Sequence, residues 1–291
     1  MSVFDLLVIG AGPAGLGAAI QAAHAGLSAA VLEMRRPSSR LLLARRVENF
    51  PGQRGLVGPE LLGNLRRQAR ARGVRMIPGR CLRLDYLKRR FGTNASEAIV
   101  EAKAVILATG LKPKGLGRNV APAGLEGKKL FYRWTDIPRI GRKGAVLVIG
   151  GGETAFDQAC SLAERGFEAA IVVRSGQDRA FDSLRREARG LDISVRYDTR
   201  VVGIGEDRGG LAVSMQSAGR VAEGRYDFCL VAIGGTRNVP DLSPVARRRL
   251  GAGIYLAGEA ADPRWRQAAI AYGDGIKKAM MACEFLRAEG R

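Results

Sequence analysis

Leu6-Leu7-Val8-Ile9-Gly10-Ala11-Gly12-Pro13-Ala14-Gly15 and, far downstream, Val146-Leu147-Val148-Ile149-Gly150-Gly151-Gly152-Glu153-Thr154-Ala155 decide how this chain is read. Each begins as an apolar, strand-like run, turns on glycines and opens a helix-like segment. In such a turn the first glycine allows the sharp bend and the second lets the backbone approach a pyrophosphate. The third position must be small so that helix and strand can pack, and amides at the helix N-terminus face the phosphates. One Gly-x-Gly-x-x-Gly alone is weak evidence; the strand before it and the helix after it, present twice, make it specific. The chain reads as built to hold two dinucleotides.

Outward from the first turn, a strand over 4–9, a helix over 13–25 and a strand over 28–33 form a βαβ unit. Glu33, followed by Met34, stands where an acidic side chain accepts hydrogen bonds from adenosine ribose hydroxyls. His24, the only histidine, falls in the intervening helix, so a histidine-based triad is excluded. A helix is expected over Pro59–Arg72 and β-like segments over Arg80–Asp85 and Ala98–Glu101. The run Ala104 to Leu107 then ends in Ala108-Thr109-Gly110, small residues that suit close approach of backbone to a cofactor. The tract 111–127, rich in Pro, Gly and Lys, reads as a crossing into a second domain.

The second βαβ unit starts at Ala145, and its second strand ends Ile171-Val172-Val173-Arg174-Ser175 without an acid. Arg174 and Arg179 are instead placed for a 2′-phosphate, favouring NADPH over NADH. Tyr226 to Ile233 reads as the closing strand, with Gly234 opening the return crossing through Pro240. Gly253 to Glu259 gives a further strand that ends in Gly258-Glu259, and a helix is expected from Trp265 to Leu286 with Arg266-Gln267-Ala268 near its start. The fold class is α/β: two Rossmann-like, three-layer ββα dinucleotide-binding domains, the second (113–240) inserted in the first (1–112 and 241–291).

With 46% hydrophobic residues and a mean hydropathy of −0.05, the 291-residue composition is that of a soluble globular protein. No apolar run is long enough for a bilayer, and the apolar start reads as a buried strand rather than a signal peptide. Cys81, Cys160, Cys229 and Cys283 are scattered without metal-ligand spacing, which fits reduced core thiols in a cytoplasmic protein and no metal site. The formal charge of +19 has two readings: a field that steers an acidic protein partner, or arginine enrichment on solvated faces. Nucleic acid is not expected, because the arginine-rich stretch 66–72 lies on a helix without interleaved aromatics.

With these motifs in order, the chain resembles the low-molecular-weight thioredoxin reductase family of two-domain flavoproteins. The resemblance rests on Gly10 to Gly15, Glu33, Glu48-Asn49-Phe50-Pro51-Gly52, Ala108-Thr109-Gly110, Gly150 to Ala155, Ala232-Ile233-Gly234, Gly258-Glu259 and Arg266-Gln267-Ala268. It implies FAD on the first fingerprint and NADPH on the second. It also implies Asn49 near the flavin, Glu259 in the place of the aspartate at the ribityl chain, and Gln267 and Ala268 facing the isoalloxazine. Ser38-Ser39-Arg40-Leu41 replaces the family's Gly-Gly-Gln-Leu, so Arg40 is expected to bring positive charge to the flavin or its pyrophosphate.

One departure bears on function. The family's redox Cys-x-x-Cys, just before the second domain's first strand, is here Leu130-Phe131-Tyr132-Arg133-Trp134-Thr135-Asp136-Ile137. Dithiol exchange needs an attacking thiolate beside a resolving thiol, so a relay to thioredoxin is not expected. Residues 131–140 are similar to the thioredoxin-reductase-like ferredoxin-NADP reductases, although those extend past the final helix with an aromatic over the flavin. Hydride transfer between stacked cofactors requires no protein nucleophile or base, so no catalytic side chain is expected. The leading expectation is an FAD-dependent NAD(P)H oxidoreductase that feeds a separate acidic electron-transfer or iron-sulfur protein. By analogy the recipient is ferredoxin-like, or an iron-sulfur radical enzyme such as one in lipoyl assembly. Direct reduction of a small disulfide, quinone or oxygen is the alternative within enzymes, and a redox sensor holding both cofactors the alternative outside them. A homodimer is expected by resemblance.

Overall fold

The computed structural model describes residues 3–36, 38–53, 55–87, 90–95, 99–140 and 143–290. The chain forms two compact units, Met1–Lys112 with Thr236–Arg291, and Pro113–Gly235.

In the first unit β1 (Phe4–Ile9) leads through Gly12 into α1 (Pro13–His24), where Pro13 sits at a helix start that needs no amide donor from it. After β2 (Ala29–Glu33) come α2 (Gly58–Ala71), β3 (Arg75–Pro78), β4 (Cys81–Leu87), β5 (Arg90–Ala95) and β6 (Ile99–Leu107). β1 lies between β2 and β6, parallel to both, and alternate residues along it feed two cores. Leu6 and Val8 pack on the helical side with Leu16, Leu61 and Leu65, whereas Leu7 and Ile9 pack with Leu84 and Phe91 of the antiparallel β4-β5 hairpin. The result is a three-layer ββα arrangement: helices, a parallel sheet and an antiparallel layer. A strand buried on both faces can be apolar at successive positions, which is why Leu6 to Ile9 of β1 read as a continuous run.

After β7 (Leu111–Pro113) the second unit repeats the plan: β8 (Leu130–Phe131), β9 (Ala145–Ile149), α3 (Glu153–Glu164), β10 (Glu168–Val172), α4 (Asp182–Gly190) and β11 (Ser194–Arg196). An antiparallel trio follows, β12 (Arg200–Asp207), β13 (Gly210–Ser217) and β14 (Arg220–Tyr226), and then β15 (Phe228–Val231) and β16 (Gly235–Arg237). The parallel sheet runs β11-β10-β9-β15-β8. The chain returns through β17 (Asp241–Leu242), the one-turn α5 (Pro244–Arg247) and β18 (Ile254–Leu256), which adds to β6, and ends on α6 (Ala268–Ala288).

Three expectations need correction. The segments expected over 98–101 and from Ala104 are one strand, β6, which begins at Ile99, and Ala98 lies outside the described residues. Tyr226 ends β14 rather than opening the closing strand; the chain turns at Asp227, whose carboxylate accepts the Ala145 amide at 2.8 Å. The last helix starts at Ala268, because Asp262 accepts the Arg264 amide at 2.9 Å in a tight turn and Gln267 is still extended. Among the described residues no helix is long and apolar enough to cross a membrane, and no cluster of His, Cys, Asp or Glu could hold a metal ion.

Candidate functional site

In the first unit the fingerprint glycines divide by what surrounds them. Gly10 has φ +104°, and a Cβ there would lie 2.5 Å from the Ala108 carbonyl oxygen; one on Gly15 would lie 1.8 Å from the Gly10 oxygen. These two are demanded by the protein's own backbone. Gly12 has ordinary extended dihedrals, and the nearest atom to a Cβ would be Ser39 Oγ at 3.6 Å. It lies at the N-terminus of α1, where helix amides favour an anion.

Glu33, half-buried at the end of β2, turns its carboxylate back to accept the Ala11 amide. Burial raises its pKa above the ordinary carboxylate value, against the Ala11 hydrogen bond and the Arg66 charge, both of which lower it. Arg66 is a neighbour that sequence spacing does not reveal, since α2 brings it in. Met34 follows, half-buried. At the end of β6 Ala108 is buried, Gly110 takes φ +65°, and the buried Thr109 Oγ1 has no hydrogen-bond partner among the described residues.

Residues far apart in sequence meet here. Arg40 pairs with Glu259 at 3.2 Å, and Asn49 Nδ2 donates to Gln267 Oε1 at 2.8 Å. Gly258 adopts φ +64° and donates its amide to Asp274 at 2.7 Å, with Ala14 so close that a Cβ on Gly258 would be 2.8 Å from it. Gln267 caps α6 and Ala268 begins it. Leu41, named with Arg40 in the expected flavin-side loop, has its side chain buried in the helical-side core. Arg266 is exposed and donates to the Pro263 carbonyl at 2.9 Å.

The second unit repeats the pattern. A Cβ on Gly150 would lie 2.4 Å from the Ala232 oxygen and one on Gly151 2.5 Å from Val173 Cγ1, while Gly152 would meet nothing within 4 Å. Glu153 and Thr154 open α3, and the small Ala155 is buried under Gly150. Ile233 is exposed and Gly234 has φ +98° just beyond β15. Arg174 and Arg179 are both exposed; the Arg179 amide donates to the Gly151 oxygen at 2.6 Å, which fixes the arginine's backbone on the glycine turn. The end of β10 is less free of acids than its own sequence implies. Asp198, arriving after β11, donates its amide to the Ser175 oxygen at 3.2 Å, and Asp178 is buried inside the loop.

In the segment 130–137, Leu130, Phe131 and Ile137 are buried. The Trp134 amide donates to the buried Gln158 at 2.9 Å, and Arg165 lies 5.0 Å over the indole. Cys160 and Cys229 of this unit sit in different cores. Burial pushes the Cys229 thiol up to about 12 and Cys81 in the first unit likewise to about 12, where a thiol is protonated and a poor nucleophile.

Each of the two Rossmann-like units carries a glycine turn at a helix N-terminus, an arrangement that suits a dinucleotide pyrophosphate. The pyridine nucleotide-disulphide oxidoreductase family model matches residues 4–275. A thioredoxin reductase of Streptomyces coelicolor is 31% identical over 306 residues, 98% of this chain and 95% of that protein. One from Peptoclostridium acidaminophilum is 32% identical over 188 residues, an alignment spanning 64% of this chain and 59% of that protein. The Lactococcus lactis thioredoxin reductase structure matches with a TM-score of 0.87 at 23% identity over 98% of this chain and 99% of its own, a likeness of fold. The chain belongs to the thioredoxin-reductase-like pyridine nucleotide-disulphide oxidoreductase family.

Proposed function

We propose that this protein is an FAD-dependent NAD(P)H oxidoreductase, with NADPH favoured, that delivers electrons to a separate acidic protein without a dithiol relay. The observation that carries it is the segment 130–137: in place of a redox pair it holds buried apolar residues and a Trp134 amide bonded to Gln158. FAD fits the first unit, where the partnerless Thr109 Oγ1 and the open face of Gly12 call for a polar ligand. Glu33 would hold the adenosine ribose and the turn from Gly12 to Gly15 the pyrophosphate. Glu259, paired to Arg40, would face the ribityl chain, and Asn49, Gln267 and Ala268 would orient the isoalloxazine. When bound, FAD supplies an acceptor for nicotinamide hydride and a donor to the next carrier.

In the second unit the turn at Gly152 would take the coenzyme pyrophosphate, Ile233 and Gly234 would border it, and Arg174 with Arg179 would grip a 2′-phosphate. No side chain is asked to act as nucleophile, acid or base. The acidic acceptor is argued from the +19 charge, a cytoplasmic location from the scattered cysteines, and homodimerisation from the resemblance alone.

Anaerobic stopped-flow mixing of the purified flavoprotein with NADPH, and separately NADH, tests the reading. Flavin bleaching at ~1 per second or faster is expected, quicker with NADPH, with no accompanying reduction of thioredoxin. Far slower bleaching with both coenzymes would leave a redox sensor as the better account.

A further inference from the structure

Asp178 lies in the middle of the basic loop 174–179, yet its side chain is only 2% exposed. Three donors converge on it: the Ala180 amide at 2.9 Å, Arg185 of α4 at 2.9 Å, and the Tyr197 hydroxyl at 2.7 Å from the segment after β11. Burial would raise its pKa, but the bonds from Tyr197, Ala180 and Arg185 outweigh burial and hold it below the ordinary value, so it stays ionised at neutral pH. Arg185 is itself steadied by a second acid, Asp182.

The rest of the loop is fastened as well. The Arg179 amide bonds the Gly151 oxygen at 2.6 Å, Ser175 Oγ donates to the Gln177 oxygen at 2.7 Å, and the Ser175 oxygen accepts the Asp198 amide at 3.2 Å. Two exposed arginines are thus carried by a loop whose backbone is tied to the glycine turn, to α4 and to the end of β11. A guanidinium on a fixed backbone loses less freedom when it grips a phosphate than one on a loose loop.

We propose that Asp178 is a positioning residue for coenzyme selectivity: it holds the loop between β10 and α4 in the one conformation that sets Arg174 and Arg179 for a 2′-phosphate. This rests on the reading of those arginines as coenzyme contacts. The sign of its effect separates positioning from charge. As a bare negative charge beside the arginines Asp178 would repel a phosphate, and neutralising it would tighten binding. As the anchor of the loop, its neutralisation loosens binding.

The test is calorimetric titration of the oxidised holoprotein with adenosine 2′,5′-bisphosphate and with adenosine 5′-monophosphate, for wild type, Asp178→Asn, Tyr197→Phe and Arg179→Ala. Asp178→Asn is expected to weaken the bisphosphate about tenfold and to leave the monophosphate within about twofold. Tyr197→Phe removes one donor of three and is expected to cost about threefold. Should Asp178→Asn fail to fold, Tyr197→Phe decides alone. Equal or tighter bisphosphate binding in these two variants overturns the positioning role. If Arg179→Ala still weakens the bisphosphate, the 2′-phosphate reading survives that outcome. If Arg179→Ala has no effect either, both fall.

Discussion

Gly12 and Gly15 stand three positions apart in one motif and have opposite reasons to be glycine. A Cβ on Gly15 would lie 1.8 Å from the Gly10 oxygen, so the fold forbids it; a Cβ on Gly12 meets only Ser39 Oγ at 3.6 Å, so the fold leaves room for it and the proposed FAD pyrophosphate does not. Gly12→Val is therefore expected to yield folded protein that purifies without FAD, read as a flavin-to-protein absorbance ratio near zero with unchanged circular dichroism. A yellow, fully loaded variant would refute the pyrophosphate assignment. The motif made these positions legible in advance, because its spacing is set by one turn of backbone. The same local reading could not see Arg66 beside Glu33, the ion pair of Arg40 with Glu259, or the bond between Asn49 and Gln267. Each joins residues on different elements, and no spacing along the chain encodes it.

At the scale of elements, α1 and α6 cross backbone against backbone in the first unit. Gly275 of α6 lies so near α1 that a Cβ would be 1.9 Å from the Ala14 oxygen, and one on Gly17 would be 2.6 Å from the Tyr272 oxygen. Backbone cannot yield as a side-chain tip does, so the helices must separate to admit a larger residue. Gly275→Val is expected to destabilise the protein by about 3 kcal/mol, seen as a lower thermal midpoint in holoprotein and apoprotein alike. A drop confined to the holoprotein would point to a cofactor effect instead. The apolar runs of β1 and β9 were legible as strands because both faces of each are buried. β5, β12 and β14 were not, since their largely polar sequences carry a weak pattern and take their register from hairpin partners, and β13, whose Leu211, Val213 and Met215 alternate cleanly inward, was passed over although its pattern is that of a strand.

For the whole molecule the excess of 47 basic over 28 acidic residues becomes a question of rate. If the acceptor is an acidic protein, its reduction should slow steeply between about 10 mM and 200 mM salt as the Debye length shrinks from about 30 Å to under 10 Å. Reduction of a neutral quinone should scarcely change. Equal salt dependence for both, measured by steady-state acceptor reduction, would return the charge to composition. What the sequence by itself determined was the α/β plan with two glycine turns and the lack of cysteine in the segment 130–137, because glycine turns, buried parallel strands and cysteine positions are written in consecutive residues. Only the tertiary structure decided which glycines the backbone itself requires, that Glu33 bends back to the Ala11 amide, and that the Asp178 side chain is 2% exposed and held by Ala180, Arg185 and Tyr197. Those facts depend on burial and on partners from other elements, and both come into being only when the chain has folded.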